Sequence, residues 1–313
     1  MLSRTADHLY WMARYTERAE NMSRLLDVAH RMSLQLPSAE MGYWGAALGI
    51  TGLEPVYTAK YGPITGANVL RFMAVDLDNS SSILSSLRSA RENCHAVRGT
   101  VTSEVWETIN TTWLEARDSV SGKLKAGGPE SELVEYLEWV KFRSHLSRGV
   151  TVGTMLQDES FHFVRLGTFL ERSDNTARLL DVKFDELAPQ VNPGNEYYEW
   201  GALLRSVSAF EIYRKVYRDV ITPHRVAELL ILREDMPRSL HACLKEVHQI
   251  LDLVANSRSN ETRRLAGAAY SQLRYGRITD ILDIGLHRYL TDFLDDMADL
   301  GNRIAQDFLV PMS

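Results

Sequence analysis

The segments YTERAENMSRLLDV (Tyr15–Val28) and FLERSDNTARLLDV (Phe169–Val182) repeat one pattern 154 positions apart. Eight of the fourteen residues are identical, where chance gives roughly one. A repeat of this kind narrows the possible folds to those built from two similar units. The correspondence continues along the chain. WGAALGITGLEPVY (Trp44–Tyr57) aligns with WGALLRSVSAFEIY (Trp200–Tyr213) at an offset of 156. DLDNSSSILSSLRS (Asp76–Ser89) aligns with REDMPRSLHACLKE (Arg233–Glu246) at an offset of 157, with identity at Asp78/Asp235, Ser82/Ser239 and Leu87/Leu244. The last match is weak alone; its order and near-constant offset carry it. The expectation is a duplicated chain with halves of about 1–150 and 151–313, packed as one body about a pseudo-twofold relation.

The periodicity says what each half is made of. Met12, Tyr15, Ala19, Met22, Leu26 and Ala29 follow one another at steps of three and four, the spacing of one helix face. SELVEYLEWVKF and LHRYLTDFLDDMADLGNRIAQDFL behave alike, and no convincing run alternates with period two. Short breaks rich in Pro and Gly punctuate the pattern: LPSAEMG, KYGPITG, AGGPE, APQVNPGN, ITPHR and EDMPRS. Thr222 before Pro223, and Gly128 before Pro129, read as helix starts with Pro at the first helical position. The fold class is all-α, with ten to twelve helices expected.

Charge and composition exclude several functions. A net charge of -6 without any basic run argues against nucleic acid as the main partner. The opening MLSRTADHLYW lacks the apolar core of a signal peptide, and no run reaches the eighteen or so apolar residues of a membrane span. A cytoplasmic protein with no membrane partner is expected. Cys94 and Cys243 form no metal-site spacing and occupy unmatched repeat positions, so they read as free, buried thiols.

On a helical wheel with Glu17 at zero, Asn21 falls near +40° and Arg24 near -20°, opposite the apolar stripe. Glu171, Asn175 and Arg178 repeat that arc, and Arg18 and Arg172 flank the two copies. Three readings fit. The groups form intrahelical pairs on a solvated face; or they form a buried network where the first helices of the halves meet; or they line a polar pocket in which Arg holds an anion and Glu accepts a proton. Arg18 and Arg172 lie about a hundred degrees from their glutamates, so they are better placed to reach another helix than their own Glu.

The segments MLSRTADHLYWMARYTERAENMSRLLDV, SHLSRGVTVGTMLQDESFHFVRLGTFLERSDNTARLLDV and DNSSSILSSLRSARENC resemble the bacterial alpha-E domain family, over essentially the whole chain. The resemblance implies an all-helical cytoplasmic protein. It also implies a genomic setting beside circularly permuted ATP-grasp ligase-like proteins and transglutaminase-like or proteasome-like peptidases. The role implied is that of a partner in a system that makes or processes amide bonds; the resemblance transfers no catalytic assignment, and the reading leans to no catalytic activity of its own. The motif residues that carry over are Glu17, Arg18, Glu171 and Arg172. The alternatives are an enzyme of that system with a Glu/Arg/Asn-lined pocket, and a di-metal helical bundle.

Other chemistry finds little support. Glu92/His95 and Glu159/His162 match the Glu-x-x-His element of carboxylate-bridged di-metal bundles. They are not at equivalent repeat positions, and His8 and His162 fall on apolar stripes, where a packed, hydrogen-bonded histidine is the expectation. No Gly-x-Ser-x-Gly turn occurs, and Cys94 and His95 are sequence neighbours that point apart on a helix. KAGGPE lacks the Lys-Ser or Lys-Thr pair of a phosphate loop. Trp11, Trp44, Trp106, Trp113, Trp139 and Trp200 read as packing residues. No cofactor and no metal are expected.

Overall fold

The structure, a computed structural model, describes residues 1–35, 40–122, 124, 130–187 and 196–310. Most of LPSAEMG and AGGPE, all of APQVNPGN, and the helix start at Gly128–Pro129 lie outside them. Among the described residues every regular element is helical. In order these are α1 (Ser3–Gln35), α2 (Glu40–Thr51), α3 (Glu54–Tyr61), α4 (Gly66–Ala74), α5 (Ile83–Ala96), α6 (Ser103–Ser121), α7 (Glu130–Thr154) and α8 (Glu159–Leu187). There follow α9 (Glu196–Ser206), α10 (Phe210–Tyr217), α11 (Pro223–Ile231), α12 (Leu240–Leu253), α13 (Asn260–Tyr275), α14 (Ile278–Ile284), α15 (Leu286–Ile304) and a π-turn at Ala305–Leu309.

Among the described residues there are fifteen helices rather than the expected ten to twelve. The surplus comes from short ones: α3, α10 and α14 have 8, 8 and 7 residues. The breaks between α2 and α3, α9 and α10, and α14 and α15 span one to three residues and carry no Pro-Gly cluster. Gly52 (φ 66°), Ser208 (φ 57°) and Gly285 (φ 96°) turn the chain there with positive φ, a conformation that breaks a helix without any compositional mark. None of the helices is long and apolar enough to cross a membrane.

The chain divides into two compact units: Met1 with His8–Thr168, and Leu2–Asp7 with Phe169–Ser313. The division at Thr168/Phe169 falls inside α8. In the first unit α5 packs on α6, α6 on α7, and α4 on α7, while α2 contacts α3 and α4. In the second, α12 packs on α13 and α13 on α15; α9 contacts α10 and α11, and α11 contacts α12 and α14.

Local chemistry explains the helix starts. Thr65, Ser82 and Thr102 in the first unit, and Thr222 and Ser239 in the second, each accept a hydrogen bond from the backbone N–H three residues on. Such a cap contributes about 1 kcal/mol by satisfying an N–H the helix leaves open. Thr222 with Pro223 forms the start read from the sequence.

Each unit also holds a tyrosine staple. The Tyr57 hydroxyl donates to the Pro63 carbonyl (3.1 Å) and accepts from the Thr65 N–H (3.3 Å). The Tyr213 hydroxyl donates to the Val220 carbonyl (2.9 Å) and accepts from the Thr222 N–H (3.1 Å). Both rings are fully buried, as are Trp44 and Trp200. Cys94 and Cys243 are free and buried.

Helix α15 shows how a core-facing stripe is written. Leu286, Leu290, Phe293, Met297, Leu300 and Ile304 recur at three and four and are all buried. In the π-turn that follows, Asp307 accepts from the Thr262 hydroxyl at 2.5 Å. The Asp307 carbonyl accepts from Asn256 and Arg258.

Candidate functional site

Helix α1 is buried on nearly every side, so the arc opposite its apolar stripe does not face water. Glu17, Glu20 and Asn21 are 1%, 0% and 4% exposed. A carboxylate stripped of water needs compensating partners, since several kcal/mol of hydration are lost with it. Those partners come from α7, within the same unit.

Arg148 of α7 donates to Glu17 at 3.0 Å and makes a very short ion pair with Glu20. The Ser144 hydroxyl donates to the same Glu20 oxygen, Oε2, at 2.7 Å. Arg24 closes on Glu20 from one turn along α1, its Nε at 2.9 Å, and lies 3.2 Å from His145 of α7. Two carboxylates thus meet two guanidiniums.

The pattern continues one step up α1 and one step down α7. Asp27 accepts from Arg31 (2.8 Å) and from Lys141 (2.9 Å), and Glu138 accepts from both of the same cations. Burial on its own raises the Asp27 carboxyl, but the hydrogen bonds from Arg31 and Lys141 outweigh it and hold the group below the usual aspartate range. Helices α1 and α7 are therefore joined by an antiparallel polar ladder.

Arg18 and Arg172 share one arrangement. Each guanidinium lies 5.4 Å from the centroid of the aromatic ring three residues earlier, Tyr15 and Phe169 respectively. Arg14, on the same arc as Glu17, donates to the Tyr10 hydroxyl at 3.0 Å.

The second copy of the motif is built differently. Glu171 and Arg172 are buried, at 6% and 8% exposure. Arg172 reaches the Pro237 carbonyl at 3.5 Å, and the neighbouring Thr176 hydroxyl donates to the Arg238 carbonyl at 2.9 Å. Asn175 is half-buried and Arg178 is exposed. Arg178 pairs along its own helix with Asp174, at 2.8 and 3.1 Å. Asp174 is the counterpart of Glu20, so a fully buried carboxylate in one copy is a partly solvated one in the other. Further along, Asp181 bonds His287 of α15 at 2.6 Å; Lys141 plays that part for Asp27.

Sequence reasoning identified Glu17, Asn21 and Arg24 but passed over Glu20, Ser144, Lys141 and Arg148. The signal for the last three is present in KFRSHLSR, where Lys141, Ser144 and Arg148 recur at three and four. That stripe is complementary in charge to Glu17, Glu20 and Asp27, and two polar stripes of matching spacing are what an antiparallel ladder needs.

A cavity of about 20 Å³ lies beside the ladder, lined by Thr16, Ala19, Thr112 and Ser144 among others. It has room for a single water and none for a substrate. None of the eight candidate residues lines it.

The remaining candidates are packing groups. His8 bonds Asn93 at 2.8 Å, as a packed histidine should. His162 is packed as well, against Phe161, but its buried Nδ1 has no hydrogen-bond partner, contrary to the sequence reading. Desolvation, helped by Arg165, pushes its pKa down. His95 lies against the Trp106 ring, and Glu159 takes the amino terminus at 2.6 Å. Among the described residues no group of three His, Cys, Asp or Glu is placed to hold a metal ion.

Residues 1–309 match the Alpha-E family, described as a predicted alpha-helical domain with a conserved ER motif. The chain is also 24% identical, over 309 residues and 93% of its length, to uncharacterized proteins of Mycobacterium bovis and of two strains of Mycobacterium tuberculosis. The match covers 35% of those relatives, so the chain spans about a third of their length. No solved structure matches. With its Glu-Arg motifs at Glu17–Arg18 and Glu171–Arg172 and its match from end to end, the chain belongs to the Alpha-E family.

Proposed function

We propose that the chain is a helical partner protein rather than an enzyme, acting in the cytoplasm with an ATP-grasp ligase-like protein and a transglutaminase-like or proteasome-like peptidase. Together they would make or process amide bonds. One observation carries the non-catalytic part of this reading. Glu17 and Glu20, the carboxylates an active site would use, are at most 1% exposed and already engaged by Arg148, Arg24 and Ser144. A general base must reach its substrate's proton within hydrogen-bond distance, and these have no free approach. The mycobacterial relatives support the partner reading, because in them a segment like this chain is joined to a further two-thirds of polypeptide.

We also propose that the two units descend from one duplicated helical unit. Matching helix starts support this: Thr65 and Thr222, Ser82 and Ser239 cap equivalent helices at an offset of 157. The tyrosine staples at Tyr57 and Tyr213 support it more strongly, because each repeats two hydrogen bonds to equivalent backbone groups.

The test is reconstitution. An ATP-grasp ligase-like protein from the same genome is purified with and without this chain, and ATP consumption is followed. The partner reading expects a stable complex and an ATP turnover that changes on adding this protein. No association together with unchanged turnover would overturn it, as would turnover of an amide substrate by this chain alone.

A further inference from the structure

Helix α5 carries Arg88, Arg91 and His95 at steps of three and four, the spacing of one helix face, and Arg98 follows in the turn beyond its end. Three of these four meet one tryptophan of α6. The guanidiniums of Arg91 and Arg98 each lie 5.4 Å from the centre of the Trp106 ring, and the His95 ring lies 5.5 Å from it. Arg91 is fixed further by its Nε, which donates to Asn110 at 3.2 Å and leaves the two terminal nitrogens of the guanidinium for other acceptors. Arg98 and His95 are exposed, while Arg88, Arg91 and Trp106 are half-buried.

Other cations of the first unit face a carboxylate. Arg24 and Arg148 hold Glu20, Lys141 holds Asp27, and Lys60 holds Asp76. Arg88, Arg91, His95 and Arg98 make no ion pair among the described residues, although Glu92, Glu104 and Glu107 are exposed and close in sequence. The C-terminus of a helix favours cations in its last turn, which accounts in part for His95 and Arg98. That effect does not reach Arg88 and Arg91, further up the helix. In a chain with a net charge of -6, unneutralised guanidiniums held on one ring are a local exception, and their mutual repulsion is relieved by an anion.

The cluster lies at the end of the first unit where Thr102, the cap of α6, meets Thr154 of α7 at 2.8 Å. Glu130, where the described residues resume before α7, is roughly 36 Å from Thr154 along that helix.

Tryptophan and arginine are the residues in which protein interfaces concentrate their binding energy, and lysine is depleted there. A small ion would neutralise the charge and leave the indole bare. A peptide segment can give carboxylates to the guanidiniums and an apolar side chain to the ring. A long polyphosphate is disfavoured by the acidic charge of the chain as a whole.

We propose that this face of α5 and α6 docks an acidic peptide segment of a partner protein, with Arg91 and Arg98 taking its carboxylates in forked pairs and Trp106 covered by its apolar side chain. The inference rests on the partner reading and adds to it a docking surface and the sign of the partner's charge.

Calorimetry on the full chain at low salt tests it, without the ATP-grasp protein. The probes are a blocked peptide of glutamates around a central leucine, the same peptide with glutamines, inorganic phosphate, and a short single-stranded DNA. The glutamate peptide should bind at least about tenfold more tightly than each of the others. Arg91→Gln and Arg98→Gln should each weaken that binding about tenfold, and Arg98→Lys several-fold, because an ammonium loses the fork. Arg117→Gln, on an exposed arginine of α6 paired with Asp118, should change it less than about twofold. Thermal melts report folding, and Arg98, exposed and held only by the ring, carries the test should Arg91→Gln fail to fold. Glutamate peptide that binds no tighter than the glutamine peptide, phosphate or DNA would overturn the proposal, as would peptide binding that survives Arg98→Gln in folded protein. A complex with the ATP-grasp protein but no peptide binding would remove the docking surface and leave the partner reading standing. Peptide binding lost in Arg98→Gln, without that complex, would sustain the docking surface and remove only the partner's ATP-grasp identity.

Discussion

Arg148 of α7 lies 3.0 Å from Glu17 of α1, across 131 residues of chain, and it also holds Glu20. One guanidinium thereby bridges two carboxylates that are at most 1% exposed, and Arg24 adds a second cation at Glu20. The Glu-Arg motif of the first unit is thus tied into the packing of α1 on α7. A buried pair of this kind is not a large net source of stability, but removing one member leaves an uncompensated charge.

The two copies of the motif should respond differently to the same change. Glu20→Ala strips a fully buried carboxylate from between Arg24, Ser144 and Arg148, and should cost about 3–5 kcal/mol. Asp174→Ala removes a partly solvated intrahelical pair with Arg178, 29% and 49% exposed, and should cost about 0.5 kcal/mol or less. Denaturant unfolding of the two variants measures the difference. Equal losses would mean that the buried ladder adds nothing over a surface pair.

Much of this architecture was legible in the sequence. Spacing by threes and fours gives the helices, Thr222–Pro223 gives a helix start, and the paired Glu-Arg segments give the family. The wheel groups Glu17, Asn21 and Arg24 on one face. It could not say what that face meets, because a wheel describes one helix and burial is a property of two. Glu20, sixty degrees from Glu17 on that wheel, gains its meaning only from Ser144 and Arg148 of α7. The short helices escaped because single residues such as Gly285 break a helix without a run of turn formers.

Stability should fall in acid. The folded Asp27 carboxyl lies below its unfolded value, so its contribution is full above roughly pH 4 and is lost as pH falls through the folded pKa. Asp76 acts in the same direction, with burial opposing and Lys60 and Tyr61 outweighing it. Unfolding free energy measured from pH 6 to pH 2 should decline below about pH 4, and Asp27→Asn should flatten that decline. An unchanged slope in Asp27→Asn would show that Asp27 is not held low in the folded state.

Gly167 sits where α8 passes the backbone of α1. A Cβ there would collide with the Tyr10 carbonyl oxygen and crowd Ala13. Gly167→Ala should therefore destabilise by about 1–3 kcal/mol or more. Gly149, on α7 with open space around it, provides the control: Gly149→Ala should stabilise by roughly 0.5–1 kcal/mol through helix propensity. Thermal melts read both signs, and a neutral Gly167→Ala would contradict the close approach.

Tyr57→Phe and Tyr213→Phe each delete a hydroxyl that serves one backbone carbonyl and one backbone N–H. If the staples are copies of one device, the penalties should be alike, about 1–3 kcal/mol each. A loss at one tyrosine with none at the other would argue against common construction.

The most direct measurement is a double-mutant cycle on Glu17 and Arg148, followed by chemical denaturation and by ATP turnover in the reconstituted system. Glu17→Ala and Arg148→Ala should each lower stability by several kcal/mol, and the double variant should lose much less than their sum, with a coupling of about 1–3 kcal/mol. Turnover should then decline only where the protein unfolds. Single variants that keep the wild-type unfolding midpoint but abolish turnover would contradict the account, and would make Glu17 part of a working site rather than of the structure that supports one.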